Sequence, residues 1–521
     1  MKKLPVPHPF LFAVFPVLFL YAHNATLIPP GEIVMPLVIV TGFSLCTTLL
    51  LTLLVRDRMK CAVILSLFLL LFFSYGHVIR ALPNFHFTVK SLNLGPDEFV
   101  FPVWCGLLFL GTYATIGTRR SLHTLTRVLN VAAVVLVTIQ LAGAMYAFAS
   151  RPTTAVVRQI TTADSAHAQV LPDIYYIVLD GYGRADVLKE IYNYDNSEFL
   201  DFLQEKGFQV ANDSRANYCQ TTLSLASTLN LDYLHRLAYF DRRSKDRRPV
   251  TQWLKSNRVF DLVKHHGYTL VAFASGYTAT EFTDADSYLS PGLTLSEFNN
   301  ILLTTTPLPF VLRMGKTQYD LHRERISYIL AKLPHVDEGA SPRLVFAHII
   351  APHPPFVFGK NGEPVARKRL FNFSDGSYYY AEGGAFDEYV NGYRNQVAYV
   401  NRRLRTTIDG ILSDAKDNPP VIILQGDHGP GAYLDWYNLP QTNLKERFSI
   451  LNAYYLPRAH DDLIYNEISP VNTFRIIFNQ YLGAKLQLLP DECYYTTWSR
   501  PYHFFNVTDP ERLPPFPGEL E

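Results

Sequence analysis

Hydrophobic patterning divides the chain near residue 150. Before that point, apolar residues form five long blocks, roughly 9–27, 33–55, 61–79, 99–117 and 129–149. Each block is close to the ~20 residues a helix needs to cross a ~30 Å hydrocarbon core. A lone signal peptide does not account for the first, because its apolar run is too long and four more follow. Residues 151–170 are polar or small, lack a period, and read as a linker. From 171 to 521, short β-branched runs alternate with amphipathic stretches. Strands are predicted over 173–180, 207–211, 268–274, 343–350, 420–425 and 449–455, and helices over 197–206, 221–229, 251–266, 384–413 and 469–482. In 384–413, Phe386, Val390, Tyr393, Val397, Val400, Leu404, Ile408 and Leu412 recur at spacings of three or four, which makes one apolar stripe. This alternation predicts an α/β domain with a mainly parallel sheet covered on both faces. The stretches 352–383 and 429–448, rich in Pro, Gly, Tyr and Asn, read as long loops suited to covering a substrate.

Loop charges orient the membrane part. Lys2, Lys3, Arg56, Arg58, Lys60, Arg119, Arg120 and Arg127 fall on one side of the five blocks, against Arg80 and Lys90 on the other. This bias predicts a cytoplasmic N-terminus, which leaves everything after Ser150 periplasmic or extracellular. A net charge of +1 over 521 residues gives no electrostatic reason to expect a nucleic-acid partner. Cys46, Cys61 and Cys105 lie in apolar blocks, and Cys219 and Cys493 outside them leave one disulfide open. Asn24, Asn212, Asn372 and Asn506 each begin an Asn-x-Ser/Thr triplet, read here as chance.

Two strand ends carry candidate chemistry. The run Asp173-Ile-Tyr-Tyr-Ile-Val-Leu ends in Asp180-Gly181, and Val421-Ile-Ile-Leu-Gln ends in Gly426-Asp427-His428-Gly429. Open α/β sheets bind ligands at the carboxyl ends of their strands, so neighbouring strands would aim Asp180, Asp427 and His428 at one point. Two carboxylates and an imidazole suit a borderline divalent cation such as Zn²⁺ or Mn²⁺, and a second metal is compatible with the set. The alternative is a pair of ordinary turns. Between them, Asn217-Tyr-Cys-Gln-Thr221-Thr-Leu-Ser224-Leu predicts a helix opening near Thr221. That hydroxyl is either a helix cap or a nucleophile that needs a metal for activation.

Together these pieces resemble the sulfatase-like branch of the alkaline phosphatase superfamily, and more narrowly its membrane-anchored phosphoethanolamine and phosphoglycerol transferases, including lipoteichoic acid synthases. The resemblance implies five spans before an extracytoplasmic α/β domain, with Asp180, Thr221, Asp427 and His428 as metal ligands and Thr221 as nucleophile. The pattern of Thr, two residues, then Ser favours Thr221 over Thr222. In Phe346-Ala-His348-Ile-Ile-Ala-Pro-His353-Pro-Pro, the resemblance makes His353 a catalytic, phosphate-facing group. His348 is either a second substrate contact or a core histidine. Asn217 and Arg447 are further substrate-binding candidates, each with a structural alternative: a turn for Asn217 and a salt bridge for Arg447. The implied reaction moves a phospho-alcohol head group from a membrane phospholipid to a surface glycan or lipid through a phosphothreonine. Hydrolysis of a phosphate or sulfate ester, or binding without catalysis, are the alternatives. The sequence also departs from the pattern. Cys219 is not followed by the Pro and Arg that formylglycine sulfatases require, the first ligand is Asp rather than Glu, and no His follows His428 within 429–448.

Overall fold

A computed structural model describes residues 5–25, 28, 30–82, 87–89, 92–94, 96–149, 171–237, 241–292, 296–312, 317–337, 340–366, 369, 371–415, 418–460 and 463–509. The expected linker 151–170 lies outside the described residues. The chain forms two compact units, Met1–Thr153 with Leu295–Thr317, and Thr154–Thr294 with Gln318–Glu521. The segment 295–317, read from sequence as part of the outer domain, therefore belongs with the N-terminal helices.

The first unit contains α1 (His8–Asn24), α2 (Val34–Val55), α3 (Arg58–Ala81), α4 (Pro96–Gly117) and α5 (His123–Ala149). Among the described residues, four stretches are long and apolar enough to cross a membrane: Pro30–Val55, Arg58–Ala81, Pro96–Gly117 and His123–Tyr146. The first expected span is a shorter helix of 17 residues, about 25 Å at 1.5 Å per residue. It ends where the side chains of His23 and Asn24 turn back to bond the carbonyls of Phe19 and Leu20. Asp57 caps α3 by accepting from the amides of Met59 and Lys60. Lys60 Nζ donates to the carbonyls of Ile116 and Thr118, satisfying the end of α4 and favoured by its dipole. The basic turn 56–60 and the start of the basic loop 118–122 thus lie at one end of the unit.

The second unit is built on a seven-stranded sheet. Its strands are β1 (Ile174–Leu179), β2 (Gln209–Val210), β3 (Thr269–Phe273), β4 (Ser287–Leu289), β5 (Arg343–Ile349), β6 (Val421–Gly426) and β7 (Asn452–Tyr455). The order is β2–β7–β6–β1–β5–β3–β4. Neighbours from β6 to β4 are parallel, whereas β7 runs antiparallel to both β6 and β2. This is an α/β domain with a mostly parallel sheet. β4 escapes sequence patterning because three residues make no recognisable run. The helix expected over 251–266 is two, Arg248–Lys255 and Arg258–His265, because Asn257 caps the second by accepting from Phe260 N. Helices Ala185–Tyr192 and Gln318–Lys332 were not anticipated.

Alternate residues of β1 serve two cores, which explains its continuous apolar run. Tyr175, Ile177 and Leu179 pack with Val397, Val400, Leu404 and Ile408 of helix Phe386–Asp414. Ile174, Tyr176 and Val178 pack with Leu225 and Leu229 of helix Thr221–Asn230 and with Phe474 and Ile477 of helix Pro470–Tyr481. The two helices are thus fixed on opposite faces of the central strand. Cys219 and Cys493 are both buried with free thiols, so the disulfide left open by sequence does not form.

Candidate metal centre and active site

Register brings the two strand ends together. Leu179 of β1 pairs with Gly426 of β6 and Ile349 of β5, so Asp180 and Asp427 leave the sheet at the same level. Gly181 then turns with φ +71°, a conformation glycine adopts without strain. Its amide donates to Asp427 Oδ1, as does the His428 amide. Gly429 is required for packing, because a Cβ there would lie 2.0 Å from the Glu446 carbonyl oxygen.

Asp180, Asp427, His348 and His428 are all buried. His348 Nε2 lies 3.2 Å from Asp180 Oδ2, and His428 Nε2 lies 3.6 Å from Asp180 Oδ1 and 3.3 Å from Asp427 Oδ2. One ligand atom each from Asp180, His348 and Asp427 falls within a 4.8 Å sphere of mutual distances. Asp180 Oδ1, Asp427 Oδ2 and His348 Nε2 are buried without a hydrogen-bond partner. Orphaned polar atoms of this kind are costly in a folded interior and mark a site that something else completes. His428 Nδ1 lies 2.9 Å from the Gly429 carbonyl. A carbonyl only accepts, so the proton sits on Nδ1 and Nε2 presents its lone pair. Burial, then the nearby Arg447 charge, lowers the His428 pKa despite Asp427 and Asp180, which keeps the ring neutral. Burial would raise the Asp180 pKa, but His353 and His348 outweigh it and hold the carboxyl below its usual range. Two carboxylates with a neutral imidazole make a donor set that fits a divalent cation.

Thr221 opens helix Thr221–Asn230, with Gln220 as the cap residue. Its side chain is therefore free for other work, and Thr221 Oγ1 lies 3.1 Å from His428 Nε2. The hydroxyl is half-buried, while the rest of the helix is buried.

His353 sits on a third side. Its Nδ1 donates to the Pro354 carbonyl, and its Nε2 lies 3.7 Å from Asp375 Oδ2. Burial disfavours the charged ring, but Asp180, Asp375 and the Pro354 carbonyl prevail and raise its pKa. Sequence reasoning missed Asp375. Its signal was an Asp-Gly pair in the loop 352–383, indistinguishable there from a turn. Arg447 is buried and donates from Nε to the Cys219 carbonyl and from Nη1 to Asp375 Oδ2 and the Gly429 carbonyl. It joins the segment before Thr221 to the segment after His428. Asn217 is likewise engaged by protein groups. Its Nδ2 lies within bonding distance of Tyr233, Ser469 and the Glu492 carbonyl, and its Oδ1 accepts from Val471 N. His348, read from sequence as a substrate contact or core residue, stands in the Asp180–Asp427 cluster with Nδ1 2.8 Å from Thr280 Oγ1. The Cys219 thiol faces Thr496, and burial raises its pKa.

An α/β domain that gathers carboxylates and imidazoles at its parallel strand ends, beside a hydroxyl at a helix N-terminus, is a candidate metal-dependent enzyme domain. The sulfatase family profile matches residues 172–464, more than half the chain, and the protein belongs to that family. No curated protein matches the sequence. Among solved structures, the zinc complex of the C-terminal periplasmic domain of EptC from Escherichia coli is 13% identical with a TM-score of 0.45, covering 69% of this chain and 98% of that one. The integral membrane lipooligosaccharide phosphoethanolamine transferase A of Neisseria meningitidis is 13% identical with a TM-score of 0.37, covering 91% and 95%. A phosphonate monoester hydrolase of Agrobacterium radiobacter is 14% identical with a TM-score of 0.39, covering 62% and 80%.

Proposed function

We propose that the protein is a membrane-anchored phosphotransferase that moves a phospho-alcohol head group, of the phosphoethanolamine or phosphoglycerol type, from a phospholipid to a surface glycan or lipid. The observation that carries this reading is Thr221 Oγ1 beside His428 Nε2, with Asp180 Oδ1 and Asp427 Oδ2 buried and unpartnered around them. Asp180, Asp427, His428 and Thr221 would hold a divalent cation, Zn²⁺ or Mn²⁺, and His348 is placed to join them or to serve a second ion. Such an ion supplies Lewis acidity, lowering the pKa of a bound hydroxyl and neutralising phosphoryl charge.

This chain's residues account for the rest. Thr221 Oγ1, its proton lost to solvent, attacks phosphorus. The Oγ1–P bond forms as the bond from phosphorus to the diacylglycerol oxygen breaks, leaving a phosphothreonine. The free amides at the start of helix Thr221–Asn230 donate hydrogen bonds to the phosphoryl oxygens and stabilise their charge. His353, whose charged form Asp180 and Asp375 favour, gives its Nε2 proton to the departing oxygen. In the second half-reaction Nε2 takes a proton from the acceptor alcohol, whose oxygen displaces Thr221. The N-terminal helices keep this site with lipid donors, and the N-terminus is cytoplasmic in this reading. Formylglycine chemistry is disfavoured, because Cys219 lacks the required Pro and Arg and its thiol is buried against Thr496.

The test incubates the full chain in vesicles containing phosphatidylethanolamine or phosphatidylglycerol labelled in the head group, with and without glycan acceptors. Expected are a head-group adduct on Thr221 by mass spectrometry, its loss in Thr221→Ala, and label moved to acceptor. Release of head group with no modified acceptor would make the protein a hydrolase. Full turnover by Thr221→Ala would overturn the site.

A further inference from the structure

Residues 298–312 contain no Asp, Glu, Lys or Arg, although the chain on either side belongs to the sheet-bearing unit. An apolar stretch too short to span a bilayer is either core or a re-entrant or interfacial segment. The structure decides between these, because 295–317 packs within the N-terminal helical unit. Phe298 and Leu302, one helical turn apart on helix Glu297–Thr304, are buried with Phe12, Val17 and Tyr21 of α1 and Leu69 and Phe73 of α3. The Gly76 amide of α3 donates to the Thr305 carbonyl at 2.9 Å. A Cβ at Gly76 would lie 1.9 Å from the Thr304 carbonyl oxygen, so this close approach depends on glycine. The Phe310 ring lies 5.1 Å from that of Phe101, in the second turn of α4.

These contacts fall at one end of the helical unit. Gly76 is about 24 Å along α3 from Lys60 at 1.5 Å per residue, and Lys60 marks the end bearing the basic loops. The charge bias of the loops assigns the Gly76 end to the extracytoplasmic side, the side expected for residue 298 and its neighbours. The outward face of the segment is apolar: Ile301 is 37% exposed, Val311 51% and Leu312 56%. The nearby helix α4 exposes Val103, Leu107 and Leu110 in the same way. Three large aliphatic groups facing water would be costly, whereas the headgroup–acyl boundary of a bilayer accepts them.

We propose that 296–312 is a lipid-contacting helical hairpin seated in the extracytoplasmic leaflet, its occupant being phospholipid against Ile301, Val311 and Leu312. The proposal rests on reading α2–α5 as membrane-spanning. The experiment uses the full chain in phosphatidylcholine–phosphatidylglycerol vesicles, with a photoreactive p-benzoylphenylalanine at Val311, at Leu312, at Leu107 of α4, or at exposed Lys360 of the catalytic unit. Lipid adducts are expected at Val311, Leu312 and Leu107, and their loss at Lys360. Adducts at Leu107 with none at Val311 or Leu312 would overturn the hairpin proposal and leave the spanning reading standing. Absence of adducts at Leu107 would remove the spanning reading itself. A protein–protein crosslink at Val311 in place of lipid would assign the face to a second copy and also overturn the proposal.

Discussion

Replacing Arg447 with Met keeps most of the stem's volume but deletes a guanidinium that bonds the Cys219 and Gly429 carbonyls and the Asp375 carboxylate. All of this occurs where Arg447 and Asp375 are 1% and 4% exposed, so water cannot take over the lost contacts. Removing one partner of a buried ion pair costs about 3–5 kcal/mol, because the other charge is stranded. A unit as large as the catalytic one melts with an entropy of roughly 0.7 kcal/mol per degree, so Tm should fall by about 4–7 °C. The double variant Asp375→Asn/Arg447→Met strands no charge and should fall short of the summed single losses by about 1–3 kcal/mol. Activity should also suffer. Arg447 holds the carbonyl two residues before Thr221 and the one after His428, and a shift of about 1 Å in such groups can cost 10²-fold in rate. Thermal melting followed by the fluorescence of Trp436, whose ring lies 5.2 Å from the Arg447 guanidinium, reads the stability change. A Tm unchanged by Arg447→Met, or a double variant that is simply additive, would refute the clamp.

Divalent cation should stabilise the protein by about 2.7 kcal/mol at 100 times its Kd, roughly 4 °C. Chelation should reverse that shift, and Asp180→Asn or Asp427→Asn should abolish it in calorimetry. Glu446 is buried, and burial raises its pKa from 4.5 to about 7, against hydrogen bonds from Tyr192 and Tyr433. A carboxyl with a raised folded pKa contributes most below its unfolded value and loses that contribution as pH climbs through the folded one. In chelator, wild type should therefore lose about 3 kcal/mol relative to Glu446→Gln between about pH 4.5 and 7. Parallel pH–Tm curves for the two proteins would contradict this. Gly429→Ala should displace the Glu446 backbone and lower Tm by several degrees, because its Cβ meets that carbonyl oxygen at 2.0 Å. An unchanged melting curve would show that the turn relaxes freely.

Local periodicity carried much of the architecture. The runs ending at Asp180 and Asp427 are strands because buried parallel strands must be apolar on both faces, and the stripe in 386–412 is a helix because it has one core to meet. The same two-sided burial hid His348. In a strand apolar throughout, nothing local tells a core histidine from one aimed at its neighbour's carboxylate, and only the β1–β5 register sets Nε2 3.2 Å from Asp180. Asp375 looked like a turn until the loop folded back to His353 and Arg447. Asn217 looked available until Tyr233, Ser469 and the Glu492 carbonyl claimed its amide.

Whether the uncharged stretch 298–312 meets the sheet or the N-terminal helices depends on contacts more than 200 residues away in sequence. Local pattern and spacing suffice for the apolar N-terminal helices, the class of the α/β domain, and the order Asp180, Thr221, Asp427, His428 along the chain. Tertiary structure alone decided which imidazoles face the carboxylates, which charges are locked in the Arg447 clamp, and where 295–317 docks. Those choices depend on sheet order and burial, which bring together groups that no local period relates.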